Sequence, residues 1–129
     1  MSFFTNIFNG SENQNDSNTK INWINLTDLG QLNEIISLSH EKPVAIFKHS
    51  TRCSVSRMAL RQFEKEFDLS DKVTAYFLDL IAYRDVSDEI AIRFGVQHQS
   101  PQLVLIKEGK AVYNASHSDI DAEELKSIV

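Results

Sequence analysis

The passage from Val44 to Phe67 constrains the fold more than any other. Val44-Ala45-Ile46-Phe47 is an uninterrupted apolar run that reads as a buried strand. It leads through Lys48-His49-Ser50-Thr51-Arg52 to Cys53. Val55, Met58, Ala59, Phe63 and Phe67 then recur at the spacing of one helix face. A strand therefore hands over to a helix with a thiol at the junction. Unpaired amide N–H groups and the positive end of the helix dipole favour a thiolate there. Cys53 is the only cysteine in 129 residues.

That single cysteine excludes an internal disulfide, and it leaves neither a Cys-x-x-Cys pair nor a cysteine-rich zinc pattern. The four histidines, His40, His49, His98 and His117, are scattered, so no metal or other bound cofactor is expected. With 42% apolar and 24% charged residues, the chain can bury a core, and its length suits one domain. A net charge of -5 without a basic run argues against nucleic-acid binding, which rests on Lys and Arg neutralising phosphates. No apolar segment approaches the ~20 residues of a membrane span. The N-terminus lacks the basic and long apolar regions of a signal peptide. A cytoplasmic monomer is expected.

Residues 1–20 are expected to form a short helix bearing Phe3, Phe4, Ile7 and Phe8 on one face, then a polar linker; residues 21–129 form the domain. Trp23, Ile24 and Leu26 predict a short strand, with Thr27 or Asp28 capping a helix that carries Leu29, Leu32, Ile35, Ile36 and Leu38. Pro43 closes that helix. Val73, Ala75, Phe77 and Leu78 predict a third strand ending at Asp79. Asp85 or Ser87 caps the next helix, Asp88 and Glu89 stand in its first turn, and Gly95 ends it. Leu103-Val104-Leu105-Ile106 is a second apolar strand, Glu108-Gly109 a hairpin turn, and Ala111-Val112-Tyr113 the returning strand. Ser118 or Asp119 caps a final helix through Val129. The order β-α-β-α-β-α-β-β-α implies a mixed α/β sheet with helices on both faces, parallel in its first half and antiparallel in its last hairpin.

This order, with a cysteine after the second strand and Pro101 before the fourth, resembles the thioredoxin fold. Four blocks carry a closer likeness: Phe47 to Ser56, Asp79 to Ser87, Phe94 to Gln102, and Ala115 to Ile120. They are similar to the YtxJ-type bacilliredoxin family, monothiol thioredoxin-like proteins of the bacillithiol system, over roughly residues 21–129. The resemblance implies that Cys53 is the nucleophile and that Ser56 stands where dithiol thioredoxins keep the resolving cysteine. Phe47 takes the place of the buried carboxylate that serves that second thiol. It also implies that Ser100–Pro101 is a cis peptide beside Cys53, with Ser100, Pro101 and Gln102 meeting the substrate.

Thiol exchange needs a thiolate. Lowering a thiol pKa from ~8.5 by two units requires about 2.7 kcal/mol, more than the ~0.3–1 kcal/mol a helix terminus usually gives. Thr51, Arg52 and the Ser56 hydroxyl are the supporting candidates. Lys48, Arg52, Arg57 and Arg61 are possible positive charges near a carboxylate-bearing thiol, although Arg57 and Arg61 also suit a solvated helix face paired with Glu64 or Glu66. A hydroxyl cannot displace a disulfide, so an external thiol must complete any cycle. The implied reaction is removal of bacillithiol from mixed disulfides on client proteins, through Cys53-S-bacillithiol, with bacillithiol as co-substrate. Two other readings are a redox-inactive thioredoxin-fold module that binds peptides, and an iron–sulfur carrier like the monothiol glutaredoxins.

Overall fold

The computed structural model describes residues 21–129. The helix and linker expected over residues 1–20 lie outside the described residues. In chain order the elements are β1 (Ile24–Asn25), α1 (Gly30–Leu38), β2 (Val44–His49), α2 (Ser54–Glu66), β3 (Thr74–Asp79), α3 (Arg84–Phe94), β4 (Gln102–Lys107) and β5 (Lys110–Ser116). Two 3₁₀ segments, His117–Asp119 and Ala122–Ser127, follow.

Side chains alternate across a strand, and β2, buried along its whole length, shows how this divides the core. Ala45 and Phe47 face one cluster with Phe63 and Phe67 of α2 and Leu125 of the last 3₁₀ segment. Val44 and Ile46 face the other, with Leu32 and Ile35 of α1 and Val86 and Ile90 of α3. Each Val, Leu, Ile or Phe among them taken fully from water contributes about 1.5–3 kcal/mol before entropy is counted. The sheet order is β1-β3-β2-β4-β5. β3 pairs parallel with β1 and β2, while β4 runs antiparallel to both β2 and β5. The expected mixed sheet with helices on both faces is present.

Local chemistry accounts for the element ends. Gln31 N–H donates to Asp28 Oδ1 while Asp28 N–H donates to Gln31 Oε1, each at 3.2 Å, a reciprocal capping pair at the start of α1. Gly95 ends α3 at φ 65°, and Glu108-Gly109 turns the hairpin with φ 52° and 79°.

Three expectations are corrected. α3 starts at Arg84, so neither Asp85 nor Ser87 caps it. Asp79 Oδ1 accepts the Ile81 and Ala82 N–H groups at 3.1 and 3.2 Å, turning the chain directly after β3. Asp85 therefore occupies the first turn, bonding Val86 N–H at 2.9 Å, and Asp88 and Glu89 fall in the second. The final helix is 3₁₀ rather than α, and its N-terminal side-chain cap is Asp121, which accepts from Glu123 N–H at 2.9 Å. Its core contacts Ala122 and Leu125 are three apart, the repeat of a 3₁₀ turn. Finally, Val55 and Met58 are not core residues. They are 47% and 67% exposed, while Ser56 is the buried residue of that first helical turn.

Candidate active site

Cys53 is the N-cap of α2, in extended conformation, half-buried and outside any disulfide. Its N–H donates to Ser50 O at 3.3 Å and its carbonyl accepts from Arg57 N–H at 3.1 Å. The peptide on each side of the thiol is thus fixed by the turn and the helix. The first turn of α2 carries no acidic residue, so no carboxylate there opposes a thiolate. Thr51 and Arg52 lie exposed in the preceding turn. Arg57 reaches back to the Thr51 carbonyl, Nη1 to O 3.3 Å. Arg57 is thus drawn toward the thiol loop rather than along the helix. Glu64 and Glu66, its expected partners along with Arg61's, instead accept from Trp23 Nε1 at 2.7 Å and Gln62 Nε2 at 2.6 Å.

The second half of the site comes from β4. The Ser100–Pro101 peptide is cis, as expected. Lys48 pairs with Gln102 in the antiparallel β2–β4 register, so Pro101 enters β4 alongside the end of β2 that leads into the Cys53 turn. Pro101 is buried, and its carbonyl accepts from His117 N–H at 3.1 Å. Ser100 Oγ is buried with no hydrogen-bond partner among the described residues. Gln102 turns its side chain inward: Oε1 accepts from Lys48 Nζ at 3.0 Å and Nε2 donates to Gln97 O at 2.9 Å. It ties the loop before Pro101 to β2, and its side chain is not offered to a substrate.

Two polar arrangements were not read from the sequence. The first links His49 and Ser56. Ser56 Oγ accepts from Ser50 N–H at 3.0 Å and lies 2.8 Å from His49 Nδ1. Both side chains are buried, and the His49 ring packs 5.5 Å from that of Phe77. Burial holds the His49 pKa below its ordinary value; Asp79 opposes this, Arg57 adds to it and Glu64 opposes it. The second surrounds Lys48, a fully buried lysine whose ammonium lies 2.8 Å from His98 Nδ1. Burial pushes the Lys48 pKa down to about 8, with Asp88 acting the other way. Burial and then the Lys48 charge lower the pKa of His98. Strand parity was the available signal. Lys48 shares a face with Val44 and Ile46, away from α2, whereas His49 shares the face of Ala45 and Phe47, where α2 packs.

Val55, Met58 and Ala59 of α2, with His117, Ser118 and Ile120 after β5, line an open, largely apolar groove of about 300 Å³. No group of three or more His, Cys, Asp or Glu side chains converges to hold a metal among the described residues. Nor is any described helix long and apolar enough to cross a membrane.

A five-stranded mixed sheet, a thiol at the N-cap of the helix after its second strand, and a cis-proline entering its fourth define a thioredoxin-fold protein of thiol redox chemistry. The chain belongs to the monothiol bacilliredoxin BrxC family, which it matches over residues 24–125. It is similar to a solved candidate oxidoreductase with a thioredoxin fold, at 34% identity and a TM-score of 0.69, covering 81% of this chain and 90% of that one. Thioredoxin of Malassezia sympodialis shares the fold at 20% identity and a TM-score of 0.65, covering 85% of this chain and 90% of that one. Mitochondrial thioredoxin 3 of Saccharomyces cerevisiae, in its oxidised form, does so at 18% identity and 0.65, covering 83% and 92%. The expected family and fold are both met.

Proposed function

We propose that this protein is a monothiol thiol-disulfide oxidoreductase that takes bacillithiol from mixed disulfides on client proteins. The observation that carries the reading is the side chain three residues after Cys53: a buried serine, Ser56, in a chain that belongs to the monothiol bacilliredoxins. The Cys53 thiolate attacks the bacillithiol sulfur of the mixed disulfide. A Cys53–bacillithiol disulfide forms, and the client sulfur leaves as a thiolate that takes a proton from water. Ser56 cannot displace the adduct. A second bacillithiol thiolate attacks its bacillithiol sulfur, releasing Cys53 thiolate and bacillithiol disulfide.

The surroundings fit both partners. Arg52 and Arg57 offer positive charge to the carboxylates of the small thiol. The exposed Val55 and Met58 and the groove beside them offer an apolar landing for a client segment that also passes Ser100 and Pro101. The reaction needs a reducing compartment rich in small thiol, so we place the protein in the cytoplasm, acting as a monomer without bound cofactor. Incubation with a bacillithiolated client, followed by intact mass, tests this. Wild type gains one bacillithiol as the client loses it, and Cys53→Ser gains none. A client reduced without adduct formation on wild type, even under rapid acid quench, overturns the reading.

A further inference from the structure

We infer that His49 is a positioning residue for the Cys53 thiolate: held as its Nδ1–H tautomer, it donates to Ser56 Oγ and so frees the Ser56 hydroxyl proton to point at the sulfur. The inference rests on the proposal that Cys53 acts as a thiolate, and it concerns what holds that thiolate in a site with no second cysteine.

The argument is a count of lone pairs and protons. A serine hydroxyl offers one proton and two lone pairs. Ser50 N–H occupies one lone pair of Ser56 Oγ, at 3.0 Å. His49 Nδ1, at 2.8 Å, is the other partner. If Nδ1 is bare, it takes the hydroxyl proton, and Ser56 has only a lone pair left, which repels an anion. If Nδ1 carries the ring proton, it fills the second lone pair, and the hydroxyl proton is left for another acceptor. The side chains at the N-cap and at N3 of a helix are neighbours, and these are Cys53 and Ser56. Cys53 makes no side-chain cap hydrogen bond of its own, and its sulfur is the acceptor assigned to the freed proton.

His49 suits the task because the switch moves no net charge. The ring is buried, and burial disfavours the imidazolium, so it stays neutral while its proton changes nitrogen. The charged groups acting on it are Asp79 of β3 and Arg57 and Glu64 of α2. Phe77 on β3 holds the ring plane. The geometry also explains why this position carries a histidine rather than an apolar residue. Ser56 is fully buried, and an apolar neighbour would leave its hydroxyl with one fixed partner fewer.

Two measurements test the idea without any bacillithiol, so their failure is separate from failure of the proposed reaction. Long-range proton–nitrogen NMR on the reduced protein, above the Cys53 titration, is expected to show His49 with its proton on Nδ1. A proton on Nε2 in that state overturns the inference. The second is the rate of thiol alkylation against pH. His49→Phe keeps the ring contact with Phe77, and Ser56→Ala removes the hydroxyl. Each is expected to raise the Cys53 titration by about half to one unit, slowing alkylation at pH 7 by about threefold to tenfold. The double variant should be no slower than either single one, because both break one hydrogen bond. His49→Asn, whose amide can still donate to Ser56, should recover part of the rate. Additive single effects, or an unchanged titration in a His49→Phe protein with native near-ultraviolet circular dichroism, overturn it. If His49→Phe fails to fold, the tautomer in wild type and the His49→Asn titration decide.

Discussion

On the proposed function, Ser56 stands where a dithiol relative would keep the thiol that attacks Cys53, and one atom separates the two chemistries. Ser56→Cys is expected to convert the site: treated with a disulfide oxidant, the variant should accumulate an internal disulfide, where wild type holds a mixed disulfide to the small thiol. Intact mass distinguishes the two products. Formation should be slow, because Phe47 stands where a carboxylate would move protons, and sulfur is a poor acceptor for Ser50 N–H. Lys48 makes a second residue-scale case. Its pKa is pushed down to about 8, whereas the unfolded chain keeps it charged to ~10.4. Between pH 8 and 10 the unfolded state binds more protons, so this residue makes stability rise with pH across that window. The difference between wild type and Lys48→Met in urea unfolding should grow in favour of wild type by about 2 kcal/mol from pH 8 to pH 10. Taking the difference removes Tyr76 and Tyr113, whose raised pKa values act in both proteins.

At the scale of elements, α2 carries the thiol and is fixed to the sheet by aromatic packing. Phe63 lies 5.5 Å from Phe47, 5.3 Å from Phe67 and 6.1 Å from Trp23, centroid to centroid. Phe63→Ala is expected to cost about 3–5 kcal/mol in urea unfolding. Trp23 is the only tryptophan, so the same cavity should shift its fluorescence to the red. Element types were largely legible: apolar runs, Pro43, Gly95 and Glu108-Gly109 each have a local cause. Where elements began was less so. Asp79 reaches forward to Ile81 and Ala82 and starts α3 before either capping candidate. The first turn of α2 shows the same limit. Val55 and Met58 fit a helical stripe, but the buried side of that turn belongs to Ser56, facing the Ser50 loop and His49.

Across the whole molecule, two histidines on opposite faces of the sheet are expected to make the fold sensitive to acid. His49 and His98 are both held below the ordinary histidine value, chiefly by burial. Below pH ~6.5 the unfolded chain takes up protons that the folded chain refuses, so stability falls as pH drops through that value toward their folded pKa values. Urea midpoints should therefore decline between pH 7 and pH 5.5, before ordinary carboxylates titrate. The decline should shrink in His49→Phe combined with His98→Gln. An undiminished decline in that double variant would assign the loss to other groups.

The sequence alone determined the order of elements, the family, the thiol at a strand-to-helix junction and the lack of a partner thiol. Each of these is read from residue identity and spacing along the chain, because periodicity, turn chemistry and a cysteine count require no contact between distant residues. Only the tertiary structure decided which polar side chains meet. Lys48 and His49 are adjacent in the chain, yet strand alternation sends one toward His98 and Gln102 and the other toward Ser56. Those partners lie on β4, its preceding loop and α2, and only the sheet register and the packing of α2 bring them within hydrogen-bond distance. The strand-to-helix junction that carries the lone thiol is, in the folded protein, also where a buried serine meets a buried histidine.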